Sequence, residues 1–407
     1  MRSHRLLGKV LMAIAIMALL AVACGGSSTE QIREAAVAVA TETTPIEPAE
    51  DTAAEEPAAA AATAAPQATD APAPEPTAPP TAAPVVEAAP INLISQGFGQ
   101  EGQSAAYAFV VENPNAAIGF EDVAYQIAAK DDQGTIIATD SGYITALFPN
   151  QSAALAVTLF IDEGNTIATL EVQLSSGEQV ATEPIDSFVV EGIQYFQGDF
   201  TNSVTGILSS AFARPIDDVR VSAITYDESG AINGGGFTFV NFIPADDRVG
   251  VDVSVTSSGP VARVELYPTF SFLSLLGMAG DAPADAQPLE LVNYGVGQDE
   301  FGASYGFLVR NPNSAYAVES GKYVVTAFDD TGRAIATDSG YMESLAPGQE
   351  FGIGGSLFPL IDVPIAQIEV QVLDGSFVES EPVAGSTAEN VAYVPGDFMS
   401  EETSMIR

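Results

Sequence analysis

From residue 91 to about residue 383 the chain runs in short stretches where apolar and polar positions alternate, each closed by Gly, Pro, Asn or Asp. A period of two predicts half-buried β-strands. Ser104 to Glu112 reads as one strand, ended by Asn113-Pro114-Asn115, because proline removes a ladder donor and restrains the residue before it. Next, Val123, Tyr125 and Ile127 alternate with Ala124, Gln126 and Ala128, and Asp131-Asp132-Gln133-Gly134 supplies a turn with glycine free to adopt the left-handed conformation. Ile136, Ile137 and Tyr143 lie on the return strand, Leu147 to Ser152 makes the next reversal, and Ala153–Ile161 and Thr166–Leu174 are two further strands.

The pattern then recurs. Asn311-Pro312-Asn313, Asp329-Asp330-Thr331-Gly332 and Ala336 to Tyr341 repeat Asn113 to Asn115, Asp131 to Gly134 and Ala138 to Tyr143 at a spacing of 198 residues, without insertion or deletion. A fainter copy lies between them, offset by 96, with Asp217-Asp218-Val219 for Glu121-Asp122-Val123 and Asp227 to Gly230 for Asp131 to Gly134. Three copies of about 95 residues follow, each long enough for a modest core of its own, and the strand-rich pattern predicts sandwiches rather than βαβ units. Tyr195 to Phe200 returns as Tyr393 to Phe398 after the third copy, so these segments are expected to close the sandwich that precedes them, residues 185 to 198 serving both as a last strand of the first and as the bridge to the second.

The pattern differs before residue 91. Arg2, Arg5 and Lys9, the apolar run Val10–Ala23 and then Cys24 have the three-part layout of a secretory signal, too short to span a bilayer. Leu20-Ala21-Val22-Ala23-Cys24-Gly25 resembles the lipobox of bacterial lipoproteins, with Ala21 where that family prefers leucine. The resemblance implies cleavage before Cys24, acylation of its sulphur, and an extracytoplasmic protein held to the membrane or cell envelope by lipid, for which two or more chains suffice. Residues 25 to 90 are Ala, Pro, Thr and Glu with few large apolar side chains, too little to offset the entropy of ordering. They read as a disordered tether.

Within the repeats, an aromatic-Asp pair, a glycine turn and a Leu-x-Pro-Gly reversal resemble the FxLYD-type domains of bacterial lipoproteins. The residues are Phe328-Asp329-Asp330-Thr331-Gly332 with Leu345-Ala346-Pro347-Gly348, and Tyr226-Asp227-Glu228-Ser229-Gly230. The first copy has Lys130 at the aromatic position and Asn150 for the last glycine. The resemblance implies immunoglobulin-like β-sandwiches and brings no catalytic residues. The expected layout is all-β: a signal at 1–23, lipidated Cys24 and linker to 90, sandwiches at 91–186, 187–284 and 285–398, the last with its closing strand, and a tail at 399–407.

Charge narrows the function. The formal net charge is −41, acidic both in the linker and in the repeats, which argues against nucleic acid and against contact with anionic headgroups except through the lipid. His4, the one histidine, lies in the signal, and Cys24 is the one cysteine. Without an imidazole a mature chain has no Ser-His-Asp, Cys-His or ordinary zinc site. The paired acids Asp131-Asp132, Asp217-Asp218, Asp246-Asp247 and Asp329-Asp330 read as turn formers rather than glycosidase pairs. Calcium is the cofactor weighed against none, with Asp186, Asp217 and Asp218 as its candidate ligands. Gly234-Gly235-Gly236 lacks a phosphate-loop context and reads as a bulge or wide turn.

For partner binding the candidates are in the middle copy: Phe272, Leu275 and Leu276 in the apolar run Phe270–Met278, with Arg214 and Arg220. The run itself is expected to be a last strand plus a connector. The function expected is non-enzymatic: a lipid-anchored display of tandem domains for protein interaction or envelope structure. A solute- or polymer-binding accessory lipoprotein of a transport or secretion system is the alternative, and a calcium-dependent adhesion-like module the third.

Overall fold

The computed structural model describes residues 88–185, 188–198, 201–276, 282–299, 302–358 and 363–383. The signal, Cys24, the linker to residue 87, Asp186 and the segment from residue 384 lie outside the described residues, and with them the closing segment expected over 393–398.

The described chain is all-β and built of sandwiches. In the first, β1 (Asn92–Glu101), β2 (Ser104–Glu112) and β5 (Ser152–Phe160) form one sheet in the order β1-β2-β5. The second sheet runs β4-β3-β6, from β3 (Ile118–Lys130), β4 (Ile136–Leu147) and β6 (Thr169–Leu174). The strand β7 (Glu178–Ala181) follows β6 along the same edge of β3. Tyr107, Phe109 and Leu155 of one sheet meet Val123, Tyr125 and Ile127 of the other, the alternation read in the sequence. The third sandwich repeats this at a spacing of 198: β14 (Glu290–Asp299), β15 (Gly302–Arg310) and β18 (Glu350–Leu357) against β16 (Tyr316–Phe328), β17 (Ala334–Leu345), β19 (Gln367–Leu373) and β20 (Ser376–Glu379).

The middle copy departs in three ways. Its strands β8 (Val189–Phe196), β9 (Asn202–Ser209), β10 (Ile216–Tyr226), β11 (Ile232–Ile243), β12 (Arg248–Ser257) and β13 (Arg263–Thr269) form one six-stranded sheet, order β13-β10-β11-β12-β9-β8. The sheet folds over its own core at the β11–β12 step, where only Gly234 and Gly235 pair with Ser257 and Thr256. The glycine run is therefore inside a strand, next to a register shift that leaves Asn233 unmatched, and a methyl group on Gly236 would lie 2.0 Å from the Ser254 carbonyl oxygen. Where the other copies have β7, this one has a single helical turn, α1 (Phe272–Leu276), so the apolar run is not a last strand.

The segment expected to close the first sandwich opens the second instead: β8 pairs antiparallel with β9, from Val189–Ser209 to Phe196–Ser203. The reason lies in β3, whose edge is already filled end to end by β6 and β7. In β3, β10 and β16 one residue in the first half of the strand has positive φ, Asp122 (51°), Asp218 (49°) and Ser320 (58°), and there the ladder skips one position.

The sandwiches also pack on one another. Ala108, Val110, Ala154 and Ala156, on the outer face of β1-β2-β5, form an apolar cluster with Ile224, Tyr226 and Ile232 of the middle copy. Ile207 of β9 packs with Phe328 and Ala334 of the third copy, the Thr205 hydroxyl donates to the Ala334 carbonyl (2.7 Å), and the Gly250 N–H donates to the Thr326 hydroxyl (2.9 Å). The result is six sheet layers, about 10 Å apart where they pack face to face.

Candidate interaction surfaces

The motifs shared by the first and third copies are engaged within the fold. Asn113 is fully buried; its amide donates to the carbonyls of Ile118 (2.8 Å), Leu147 (3.2 Å) and Phe148 (3.0 Å), and its Oδ1 accepts from the Asn115 N–H (3.0 Å) and side chain (2.8 Å). Asn115 in turn exchanges two hydrogen bonds with the backbone of Ala89, both 2.9 Å. Asn311 and Asn313 do the same, the latter with Gln287. In the Ala-Thr-Asp-Ser-Gly-Tyr motif, Asp140 accepts the Tyr107 hydroxyl (2.7 Å) and Gly142 leaves room for the Tyr125 ring, whose hydroxyl would lie 2.5 Å from an added methyl. Burial and these bonds push the Tyr107 hydroxyl up, so it stays a neutral donor. These are structural devices. Their polar groups are spent on the fold.

The middle copy holds the partner-binding candidates, and the structure separates them. Phe272 and Leu275 are 45 and 42% exposed, beside Leu273 at 39%, on α1. The turn is fastened to the start of β10 by Ser274, whose hydroxyl contacts the carbonyls of Asp217 (2.6 Å) and Asp218 (3.0 Å). Leu276 ends the same turn, and Arg214 is exposed just ahead of β10. Arg220 is elsewhere. Its guanidinium donates to the Ala156 carbonyl (2.7 Å) and lies 3.9 Å from the centre of the Phe237 ring, inside the contact with the first sandwich. Burial lowers its pKa. It is therefore a joint between domains and is not offered to an outside partner.

Asp217 and Asp218, two of the three calcium candidates, face Lys322 of the third sandwich, at 3.4 and 3.3 Å from its ammonium. The ammonium also reaches the Asn241 carbonyl (3.4 Å) and lies 5.7 Å from the centre of the Tyr341 ring. The cation these carboxylates hold is thus a lysine. Burial pushes the Asp217 carboxyl up, and Lys322 pulls it back. Among the described residues no three Asp, Glu, His or Cys side chains gather as a metal site. Asp131, Asp227 and Asp329 each accept two backbone N–H groups of their own turn.

Two concavities escaped the sequence reading because each is made by the packing of one sandwich on the next. A groove of 1130 Å³ runs between the first and second, lined by Gln100, Glu101, Thr158, Tyr195, Gln197 and Asn202. A smaller cavity of 280 Å³ between the second and third contains Asp252, whose carboxyl is pushed up by burial and bonded to the Ser203 hydroxyl. Only the apolar spacing of the strands signalled that these sheets had second faces to cover.

Comparison with known proteins adds little. No protein-family model matches the chain, and no curated protein matches it. Among solved structures it is similar to the C-terminal globular domain of an oligosaccharyltransferase from Pyrococcus abyssi, at 9% identity and a TM-score of 0.14, over 54% of this chain. The match spans 52% of that protein, about half its length.

Proposed function

We propose that the chain is a lipid-anchored extracytoplasmic protein, without catalytic activity, that holds three FxLYD-like sandwiches away from the membrane and binds a protein or envelope component through the middle one. The observation that carries this reading is the exposed apolar turn Phe272–Leu275, on a copy whose two sheet faces are both taken up by its neighbours. The anchor is supported by the run from Val10 to Cys24. Mass spectrometry of the N-terminus is expected to find an acylated Cys24; an unmodified thiol sinks the anchor. Capture from envelope extract is expected with the native chain and lost with Phe272→Asp combined with Leu275→Asp. Undiminished capture by the double variant removes this surface from consideration.

A second reading, polymer or solute binding, is favoured by the 1130 Å³ groove, whose amides, hydroxyls and Tyr195 suit a hydroxylated polymer. Titration with soluble envelope glycans should quench Tyr195 and be abolished by Tyr195→Ala with Gln197→Ala. Equal binding by that variant discards it.

A further inference from the structure

Among the described residues, the chain uses one kind of interface twice and shows no partner for one half of it at each end. In both uses the sheet built like β1-β2-β5 lies on the next copy's sheet built like β4-β3-β6. The first sandwich docks in this way on β13-β10-β11, and the β12-β9-β8 half of the middle copy docks on β17-β16-β19. At the far end, the outer face of β14-β15-β18 has no such partner among the described residues.

That open face is shaped like the used one. β2 and β15 have the same neighbours in the same register, yet β2 is buried from Ala105 to Val111, on both faces. In β15 only Ala303, Tyr305, Phe307 and Val309 are buried, while Ser304, Gly306, Leu308 and Arg310 face solvent. Gly97 and Gly99 of β1 show what the face is for: a methyl group on either would lie 2.4 Å from a carbonyl oxygen of β11, at Ile232 and Asn233 respectively. Gly295 and Gly297 hold the same positions in β14, and a methyl group there meets nothing within 4 Å. Gly295, with Gly306, Gly352 and Gly354, floors a shallow groove of 430 Å³. Glycine costs strand stability wherever no close approach requires it, so a flat glycine face without a partner is unfinished.

The matching half is at the other end. The face of β17-β16-β19 that receives the middle copy carries Thr337 and Ser339, with Glu369 bonded to Arg248 (2.8 Å) and Gln371 to Asp247 (2.9 Å). In the first sandwich Thr139, Ser141, Glu171 and Gln173 stand at the equivalent places, all exposed, with Tyr143 where Tyr341 lies beside Lys322. We propose that copies of this chain associate head to tail, the β14-β15-β18 face of one on the β4-β3-β6 face of the next, continuing the stack already built inside each chain. The contact is heterologous and leaves a free half at each end, so it grows beyond a dimer. Because the chain carries a net charge of −41, association strengthens as salt screens the repulsion. The inference stands whether or not the N-terminus is lipidated.

The test uses the full chain with Cys24→Ser as common background, followed by sedimentation velocity across concentration at low and physiological salt. The native faces are expected to give species that grow past the dimer with concentration. Gly297→Arg, which meets open space, and Thr139→Arg, on an exposed strand position, should each leave the chain monomeric with unchanged circular dichroism. Mixed together, they retain one intact pair of faces and should form a dimer that grows no further. Leu308→Glu and Tyr143→Ala repeat the two arms should either arginine disturb folding. A chain that stays monomeric throughout overturns the proposal, as does assembly that survives both arginine variants. So does a Thr139→Arg chain that still dimerises, because β14-β15-β18 would then be pairing with itself.

Discussion

Asn113 and Asn311 are buried amides whose hydrogen-bonding groups are engaged by the strand ends around them. The register of β9 with β12 puts Ser210 at this place in the middle copy, where its buried hydroxyl has no partner. Removing the amide leaves up to three carbonyls unmatched, each costing about 1–3 kcal/mol if water does not reach it. Asn113→Ala should therefore lower stability by at least about 2 kcal/mol in urea denaturation, whereas Ser210→Ala should be neutral or stabilising. The turn acid Asp329 gives a second prediction. Burial alone would raise its carboxyl, but the Arg333 and Thr331 N–H groups, the Thr331 hydroxyl and the Arg333 guanidinium outweigh it and hold it well below the usual carboxylate range. A depressed pKa contributes stability that is present above about pH 4 and lost as pH falls through the folded value. Asp329→Asn should lower the melting temperature of the third sandwich at neutral pH and flatten its decline below about pH 4; a parallel decline would assign the acid limb to other groups.

At the scale of elements, the strands and turns were legible in the sequence because their signals are local. Asn150, predicted to replace a glycine, does adopt the left-handed conformation that Gly348 adopts (φ 57° and 71°). Partner choice was not legible. Val189–Phe196 alternates like any strand, and nothing in its own residues says whether it joins the sandwich before or after it; the edge of β3 decides, and β7 had already filled it. The pair Asp217-Asp218 likewise reads as a solvated turn or a cation site, since its partner Lys322 is over a hundred residues away. Their side chains are 16% exposed and that of Lys322 14%. Removing the ammonium leaves two carboxylates nearly desolvated, so Lys322→Met should destabilise the chain by roughly 1–3 kcal/mol near neutral pH. Burial already raises Asp217, and without Lys322 it should rise further. Protonation then relieves the cost, so the deficit should shrink as pH is lowered into the carboxylate range. A deficit independent of pH would mean that the lysine stem, and not its charge, holds the joint.

On the scale of the whole molecule, acid outnumbers base by 41 charges, and most of the nine basic residues after the linker are tied to specific carboxylates or carbonyls. The remaining carboxylates repel one another across a stack only a few layers deep. Screening reaches about 10 Å at 0.1 M ionic strength and 30 Å at 0.01 M, so added salt weakens this long-range repulsion far more than it weakens the partly buried Lys322 contact. The melting temperature should therefore rise when sodium chloride is taken from about 0.01 M to 0.15 M, opposite to the fall expected of a protein held together by exposed ion pairs. Calcium adds a discriminating arm. A divalent ion that only screens will reproduce the sodium curve once ionic strength is matched, whereas a bound one stabilises as RT ln(1 + [L]/Kd), about 2.7 kcal/mol at a hundred times Kd. Two described acids of the proposed calcium cluster already hold a lysine. The expected result at matched ionic strength is coincident melting curves; a residual upward shift with calcium, abolished by chelation, would restore the adhesion-like reading and place its site outside the Asp217–Asp218–Lys322 joint.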